Sequence, residues 1–233
     1  MARLLRVLPV DVPVHVIQRG NNRQVCFAAE QDFRLYADWL TQYSRKNRVD
    51  VHAWVFMNNH AHLLCTPRQE DAISLMMQSL GRRYVRYFNN KYERSGTLWE
   101  GRFKSCLVQE ELYFFGLCRY IELNPVRAKM VVEPGQYMWS SYGVNAHGAH
   151  SRLWSAHPVY QSLGASPLER QKNYRAMFAD RLEEDFVSEI RENTNKGLAV
   201  GTDAFKEKLG AISGRRLRAK RRGRPYGSKK VRN

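Results

Sequence analysis

Two apolar runs separated by a pair of asparagines set the frame for this chain. Val51-His52-Ala53-Trp54-Val55-Phe56-Met57 is aromatic, β-branched and nearly continuous in apolar character, the pattern of a strand. Asn58 and Asn59 are turn formers, and His60 to Cys65 reads as a second strand. Side chains alternate along a strand, so His60 and His62 share one face while Ala61, Leu63 and Cys65 take the other. Two imidazoles one residue apart on one face suit a single divalent metal ion. They equally suit an open sheet with two uncommitted histidines, and an H-x-H by itself does not decide between them.

The rest of the first half supplies partners for these strands. Val12 to Arg19 alternates as a strand, with Pro13 pointing to an edge or an early position. Gly20-Asn21-Asn22-Arg23 is a donor-rich loop, either a plain turn or a contact with phosphates or bases through Asn21 and Arg23. Glu30 to Lys46 has Phe33, Tyr36, Ala37, Leu40 and Tyr43 at helical spacing, and a second helix capped by Asp71 carries Ile73, Met76, Met77, Leu80, Tyr84, Tyr87 and Phe88. Leu98 to Val108 includes another strand, and Glu110 to Leu123 another helix before Pro125. This order is close to the split βαβ pattern. It predicts an α+β, ferredoxin-like fold: an antiparallel four-stranded sheet with helices on one face.

Three regions follow from the texture. Residues 1–145 form the expected main domain, and residues 143–157 lack periodicity and read as a linker. Residues 146–213 read as a small helical C-terminal extension, with helices starting at Ser166-Pro167, Glu184 and Thr202 or Asp203. Residues 214–233 hold seven Arg, three Lys and no acid, so this tail carries +10 of the net charge of +16. A basic tail on a mildly basic body points to a polyanion, most often nucleic acid. Within it, Arg222-Gly223-Arg224-Pro225 has the composition of a segment that lies along a narrow minor groove, which puts Arg222 and Arg224 among the candidate DNA contacts. Cys26, Cys65, Cys106 and Cys118 form no C-x-x-C pair, which argues against a zinc ribbon or a disulfide framework and for reduced cytoplasmic thiols. No apolar run of membrane-spanning length is present, and no membrane partner is expected.

Five segments together resemble the REP-associated tyrosine transposases, within the single-tyrosine HUH transposases. They are Gln18-Arg19-Gly20-Asn21-Asn22-Arg23-Gln24, Asn59-His60-Ala61-His62, Leu98-Trp99-Glu100-Gly101-Arg102-Phe103-Lys104-Ser105, Tyr120-Ile121-Glu122-Leu123-Asn124-Pro125-Val126-Arg127 and Trp139-Ser140-Ser141-Tyr142. The resemblance spans residues 18–142 and is loose beyond residue 150. It implies that His60 and His62 hold Mg²⁺ or Mn²⁺, that Tyr120 is the nucleophile, and that Asn124, one helical turn on, completes or supports the metal site. It implies single-stranded DNA hairpins formed by palindromic repeats as substrate, contacted by Arg19, Asn21, Arg23, Arg102 and Lys104, and a bacterial, nucleoid-associated protein acting as monomer or homodimer.

The chemistry suits these residue types. A free phenol, with a pKa of about 10, is only about a thousandth ionised at neutral pH and needs assistance as a nucleophile. A divalent cation on the scissile phosphate polarises it and neutralises developing charge. The expected activity is therefore metal-dependent single-strand cleavage and strand transfer through a 5′-phosphotyrosine link. The alternatives are a domesticated binder of palindromic DNA that does not cut, and an unrelated histidine-metal hydrolase, for which no nearby Asp or Glu offers a general base.

Overall fold

The first strand, β1 (Val14–Arg19), becomes the middle of the sheet. The computed structural model describes residue 6 and residues 8–218, with the side chain of residue 111 left aside. After β1 the chain forms α1 (Glu30–Lys46), the hairpin β2 (Val49–Met57) and β3 (His60–Pro67), α2 (Ala72–Lys91), β4 (Lys104–Val108) and α3 (Glu110–Glu122). Short helices α4 (Asn124–Arg127), α5 (Tyr142–His147) and α6 (Pro158–Gln161) follow, then α7 (Pro167–Ala176), α8 (Glu184–Lys196), β5 (Ala199–Val200) and α9 (Asp203–Ser213). Pro13 lies just before β1, so its missing N–H breaks no ladder bond. Its carbonyl accepts from Val108 N at 2.9 Å, and the strand is central rather than at an edge.

The sheet order is β2-β3-β1-β4-β5, and this corrects the four-stranded antiparallel expectation. The first four strands pair antiparallel, but β5 adds a fifth, parallel to β4 through Leu107↔Ala199 and Val108↔Val200. Two residues carry no readable strand pattern; β5 follows the sharp turn that Gly197, at φ 64°, makes at the end of α8, and is held by its pairing with β4.

Helices cover both faces, not one. Val14, Val16, Trp54, Phe56, Leu63 and Leu107 pack under α1 and α2, whereas Ala53, Val55, Leu64, Cys106 and Val108 pack under α3, α5, α7 and α8. The physical reason lies in β2, which is buried from Val51 to Met57 on both sides and so needs two covers. On the α1–α2 side, Phe27, Phe33, Tyr36, Phe56 and Tyr84 form an aromatic cluster with ring centroids 4.9–6.1 Å apart. Burial of each such ring contributes about 1.5–3 kcal/mol. Asp32 ties α1 to α2: it accepts from Ala28 N, Ala29 N, Tyr87 Oη, Lys91 Nζ and Tyr92 Oη at 2.7–2.9 Å.

The opposite layer is built around α3. Phe114, Leu117, Cys118 and Ile121 face the sheet, and Glu122, fully buried, is gripped from the C-terminal helices. Asn145 Nδ2 and Tyr174 Oη each donate to its carboxylate at 2.8 Å, and Ser141 Oγ donates as well. Residues 143–157, which read as a linker, contain most of α5 and a bridge from Trp154 to Val51, so this stretch is packed structure. Thr202 caps α9 by accepting from Phe205 N, and Ser166 caps α7 by accepting from Glu169 N. No helix among the described residues is long and apolar enough to cross a membrane.

Candidate active site

The β2–β3 turn is fixed by the loop that precedes α1. Asn58 O accepts from Cys26 N and Phe27 N at 2.8 and 2.9 Å, and Asn59 O accepts from Gly20 N at 2.9 Å. Gly20 is required here: a Cβ would lie 2.2 Å from Gln24 O. Strand alternation then turns His60 and His62 toward α3. His62 sits between Ile17 of β1 and Val55 of β2, and His60 between Arg19 and Met57. His62 is buried at 2% exposure; His60 is half-buried.

Each ring has its Nδ1 engaged. Asn59 Nδ2 donates to Arg23 O at 3.2 Å, which leaves Asn59 Oδ1 to accept from His60 Nδ1 at 2.5 Å. His62 Nδ1 lies 2.9 Å from His15 Nε2, with the two rings within 5° of parallel. Nε2 is therefore the ring nitrogen left open on both rings. Burial, together with the nearby Arg19 charge, pushes the His60 imidazole down to about 4, its bond with Asn124 opposing the shift. Burial, the neighbouring histidines and Arg19 and Arg127 hold His62 well below its ordinary value. Both rings are thus neutral donors at neutral pH, the form a metal ion requires.

Tyr120 comes to this pair from α3. Its ring stands edge-on to His62 at 5.7 Å and to His15 at 5.8 Å, and it is 4% exposed. Proline at 125 does not throw Asn124 off the helix line, because Leu123 keeps φ −84° and ψ 0° and α4 starts at once. Asn124 Nδ2 donates to the Tyr120 carbonyl at 3.2 Å, one turn back, which sets its amide beside the His60 ring. Arg127 lies a further turn along, its guanidinium carbon 5.2 Å from the Tyr120 ring centroid. The fold therefore brings Tyr120, His60, His62 and Asn124 together. Among the described residues no three His, Cys, Asp or Glu side chains are grouped to hold a metal ion.

At the end of β1, where Arg19 pairs with His60, lies a basic cleft of about 310 Å³, lined by Arg6, Arg19, Arg102, Lys104 and Asn195, with Glu100 its acid; His60, His62, Tyr120 and Asn124 are not part of its lining. It continues into a second hollow of about 270 Å³ that adds Lys196 and Arg215 from the C-terminal region. Arg19, Arg102 and Lys104 thus share one cleft, whereas Asn21 and Arg23 lie in a 3-10 turn (Asn21–Arg23) next to the Asn59 corner, Arg23 exposed. Arg222 and Arg224 lie outside the described residues.

Three residues of the site were not singled out from the sequence. Arg127 stands seven residues after Tyr120, a spacing that shares a helix face, so the signal was present. His15 alternates onto the His62 face, but only the strand pairing reveals it. Thr194, 179 residues from its partner His15, gives no sequence signal.

Residues 10–124 match the family described as "Transposase IS200 like". No curated protein matches the chain. A solved REP-associated tyrosine transposase bound to a REP hairpin is similar in fold, with TM-score 0.51 and 18% identity over 67% of this chain and 93% of that one. A candidate transposase from Deinococcus radiodurans R1 gives TM-score 0.37 and 21% identity over 52% of this chain and 96% of that one.

Proposed function

Because the chain belongs, through residues 10–124, to the IS200-like transposases, we propose that it is a metal-dependent single-stranded DNA endonuclease and strand transferase that acts near palindromic hairpins. The observation that carries this reading is the edge-on approach of the Tyr120 ring to His62, with Asn124 reaching His60 from the next turn. His60, His62 and Asn124 are the residues that would hold Mg²⁺ or Mn²⁺, and their donor set fits: two neutral imidazoles with Nε2 available and one amide. Bound there, such a cation supplies Lewis-acid polarisation of the scissile phosphate.

The chain's own residues do the rest. Tyr120 Oη forms a bond to the 5′ phosphorus while the P–O3′ bond breaks. The phenol proton passes to solvent and the departing 3′ oxygen takes one up. The ester link is conserved in the phosphotyrosine, so a second 3′-OH can reverse the step and join strands without a nucleotide cofactor. Arg127 holds the Tyr120 ring from outside and brings positive charge to the place where phosphate charge grows. Arg19, Arg102 and Lys104 track the strand by its phosphates, which gives affinity that falls with salt. The relative solved with a REP hairpin supports a hairpin as the form of the substrate. In this reading residues 1–145 carry the catalysis, residues 146–213 extend it, and residues 214–233 add a basic DNA-binding tail.

The deciding experiment is a denaturing gel of labelled single-stranded palindromes with Mn²⁺ or EDTA. The expected result is a protein-linked DNA band that needs metal and disappears in Tyr120→Phe. Cleavage that persists in Tyr120→Phe refutes the nucleophile. Binding without any covalent product refutes cleavage and leaves a DNA-holding protein.

A further inference from the structure

His62 is held by a hydrogen-bonded chain that ends outside the family-matching residues. It starts in the last turns of α8. Thr194 Oγ1 donates to Ile190 O at 2.7 Å, the back-bond a helical threonine makes to the preceding turn. With that proton committed, Thr194 Oγ1 can only accept from its other neighbours. These are His15 Nδ1 at 3.0 Å and Cys106 Sγ at 3.1 Å. His15 must then carry its hydrogen on Nδ1, which leaves a lone pair on Nε2. That lone pair accepts from His62 Nδ1–H at 2.9 Å. The polarity runs one way only, and it places the His62 lone pair on Nε2. The opposite polarity would withdraw the Thr194 proton from the Ile190 carbonyl and load His62 Nε2 with hydrogen, in which form it cannot ligate.

No solvent competes with this chain. His15 is 0% exposed, Thr194 1%, and His62 and Cys106 2% each. Its far end is rigidly placed: α8 packs on β4 and β1, and β5 zips onto β4 four residues after Asn195. The two metal-pair histidines are therefore oriented by different means. His60 takes its orientation from Asn59, its neighbour in sequence; His62 takes its own from a helix 132 residues later.

We propose that His15 and Thr194 are positioning residues that fix the tautomer and ring orientation of His62 for a divalent cation, so that α8 is a working part of the metal site. This rests on the reading of His60 and His62 as the metal pair. Partners of this kind typically govern metal affinity by about 10–100-fold.

The test is Mn²⁺ titration of the full chain, with free ion read by electron paramagnetic resonance, in parent, Thr194→Val, Thr194→Ser and His15→Phe proteins. Thr194→Val is nearly isosteric and His15→Phe keeps a planar ring in place; both remove the acceptor, and each is expected to weaken Mn²⁺ binding by about 10–100-fold. Thr194→Ser keeps the oxygen and is expected to stay near the parent. Long-range ¹⁵N spectra of the metal-free parent, expected to show His62 as the Nδ1–H tautomer, carry the test even where a variant fails to fold. Parent-like affinity in both acceptor-less variants, or an Nε2–H His62 in the parent, overturns the inference alone. A parent that binds no Mn²⁺ overturns it together with the metal-pair reading.

Discussion

Replacing Glu122 by glutamine should change how stability depends on pH. Burial pushes this carboxyl up to about 7 against an ordinary 4.5, with the bonds from Ser141, Asn145 and Tyr174 pulling the other way. A raised acid pKa means that ionisation costs more in the folded chain than in the unfolded one. Glu122 therefore costs nothing below pH 4.5, costs progressively more as pH rises toward 7, and costs a constant amount above it. At about 1.4 kcal/mol per unit, the change between pH 5 and pH 8 is about 2.5 kcal/mol. The amide that replaces the carboxyl does not titrate. It leaves one of the three donors without its acceptor, a cost of about 1–3 kcal/mol that is the same at every pH. The gap between parent and Glu122→Gln should thus shift by about 2.5 kcal/mol in favour of the variant from pH 5 to pH 8, or about 5–10 °C in Tm for a chain of this size. The comparison must be a difference between proteins, because the buried histidines titrate in the same range with the opposite sign. Calorimetry of both proteins at the two pH values is the assay. An equal parent–variant gap at pH 5 and pH 8 would refute the argument that Glu122 is ionised only at a cost.

Three further outcomes follow from other parts of the structure. Burial is the main cause that pushes His52 and His157 down to about 4, so their contribution is full above pH 6.5 and lost as pH falls toward 4. His52→Gln should flatten that acid limb in a pH series of melts, and an unchanged limb would show that the ring is already charged in the fold. Burial raises the Asp32 carboxyl, but bonds from Lys91, Tyr92, Ala29 and Tyr87 outweigh it and bring it to about 2, so its stabilisation is present above about pH 4 and lost as pH falls to 2. Removing this buried, paired charge in Asp32→Ala should cost about 3–5 kcal/mol by urea unfolding at pH 7, and a loss under 1 kcal/mol would mean α1 and α2 do not depend on the clamp. Lys104→Ala should lower the salt slope of single-stranded DNA binding by about 0.7, the share of one phosphate contact, and an unaltered slope in fluorescence anisotropy would remove Lys104 from the strand's path.

The fold was legible where periodicity is long and local. Helix α1 runs over the predicted Glu30–Lys46, and the hairpin around Asn58-Asn59 pairs Met57 with His60 directly. The second layer was misjudged although its sign was present. A strand reading Val-His-Ala-Trp-Val-Phe-Met has no polar face to give to water, and such a strand asks for cover on both sides. What could not be read was β5: two residues held by β4 and by the αL turn at Gly197 have no pattern of their own.

The candidate site divides along the same line, and the division has a physical cause. Tyr120, Asn124 and Arg127 are one helix face, so their meeting is a matter of spacing. His60 and Asn59 are neighbours in the chain, and a turn residue that orients a ring leaves its mark beside it. His62, by contrast, is buried in mid-sheet where Ile17 and Val55 flank it, and nothing adjacent in sequence can reach its Nδ1. The bond must come from another strand, and that strand's histidine must in turn be held from the next layer. Sheet order then selects the source: β1 has β3 on one side and β4 on the other, and α8 is the helix that packs across β4 and β1. A segment that reads as an appendage in the sequence is thereby drawn to the candidate site by the same strand that makes the sheet's centre.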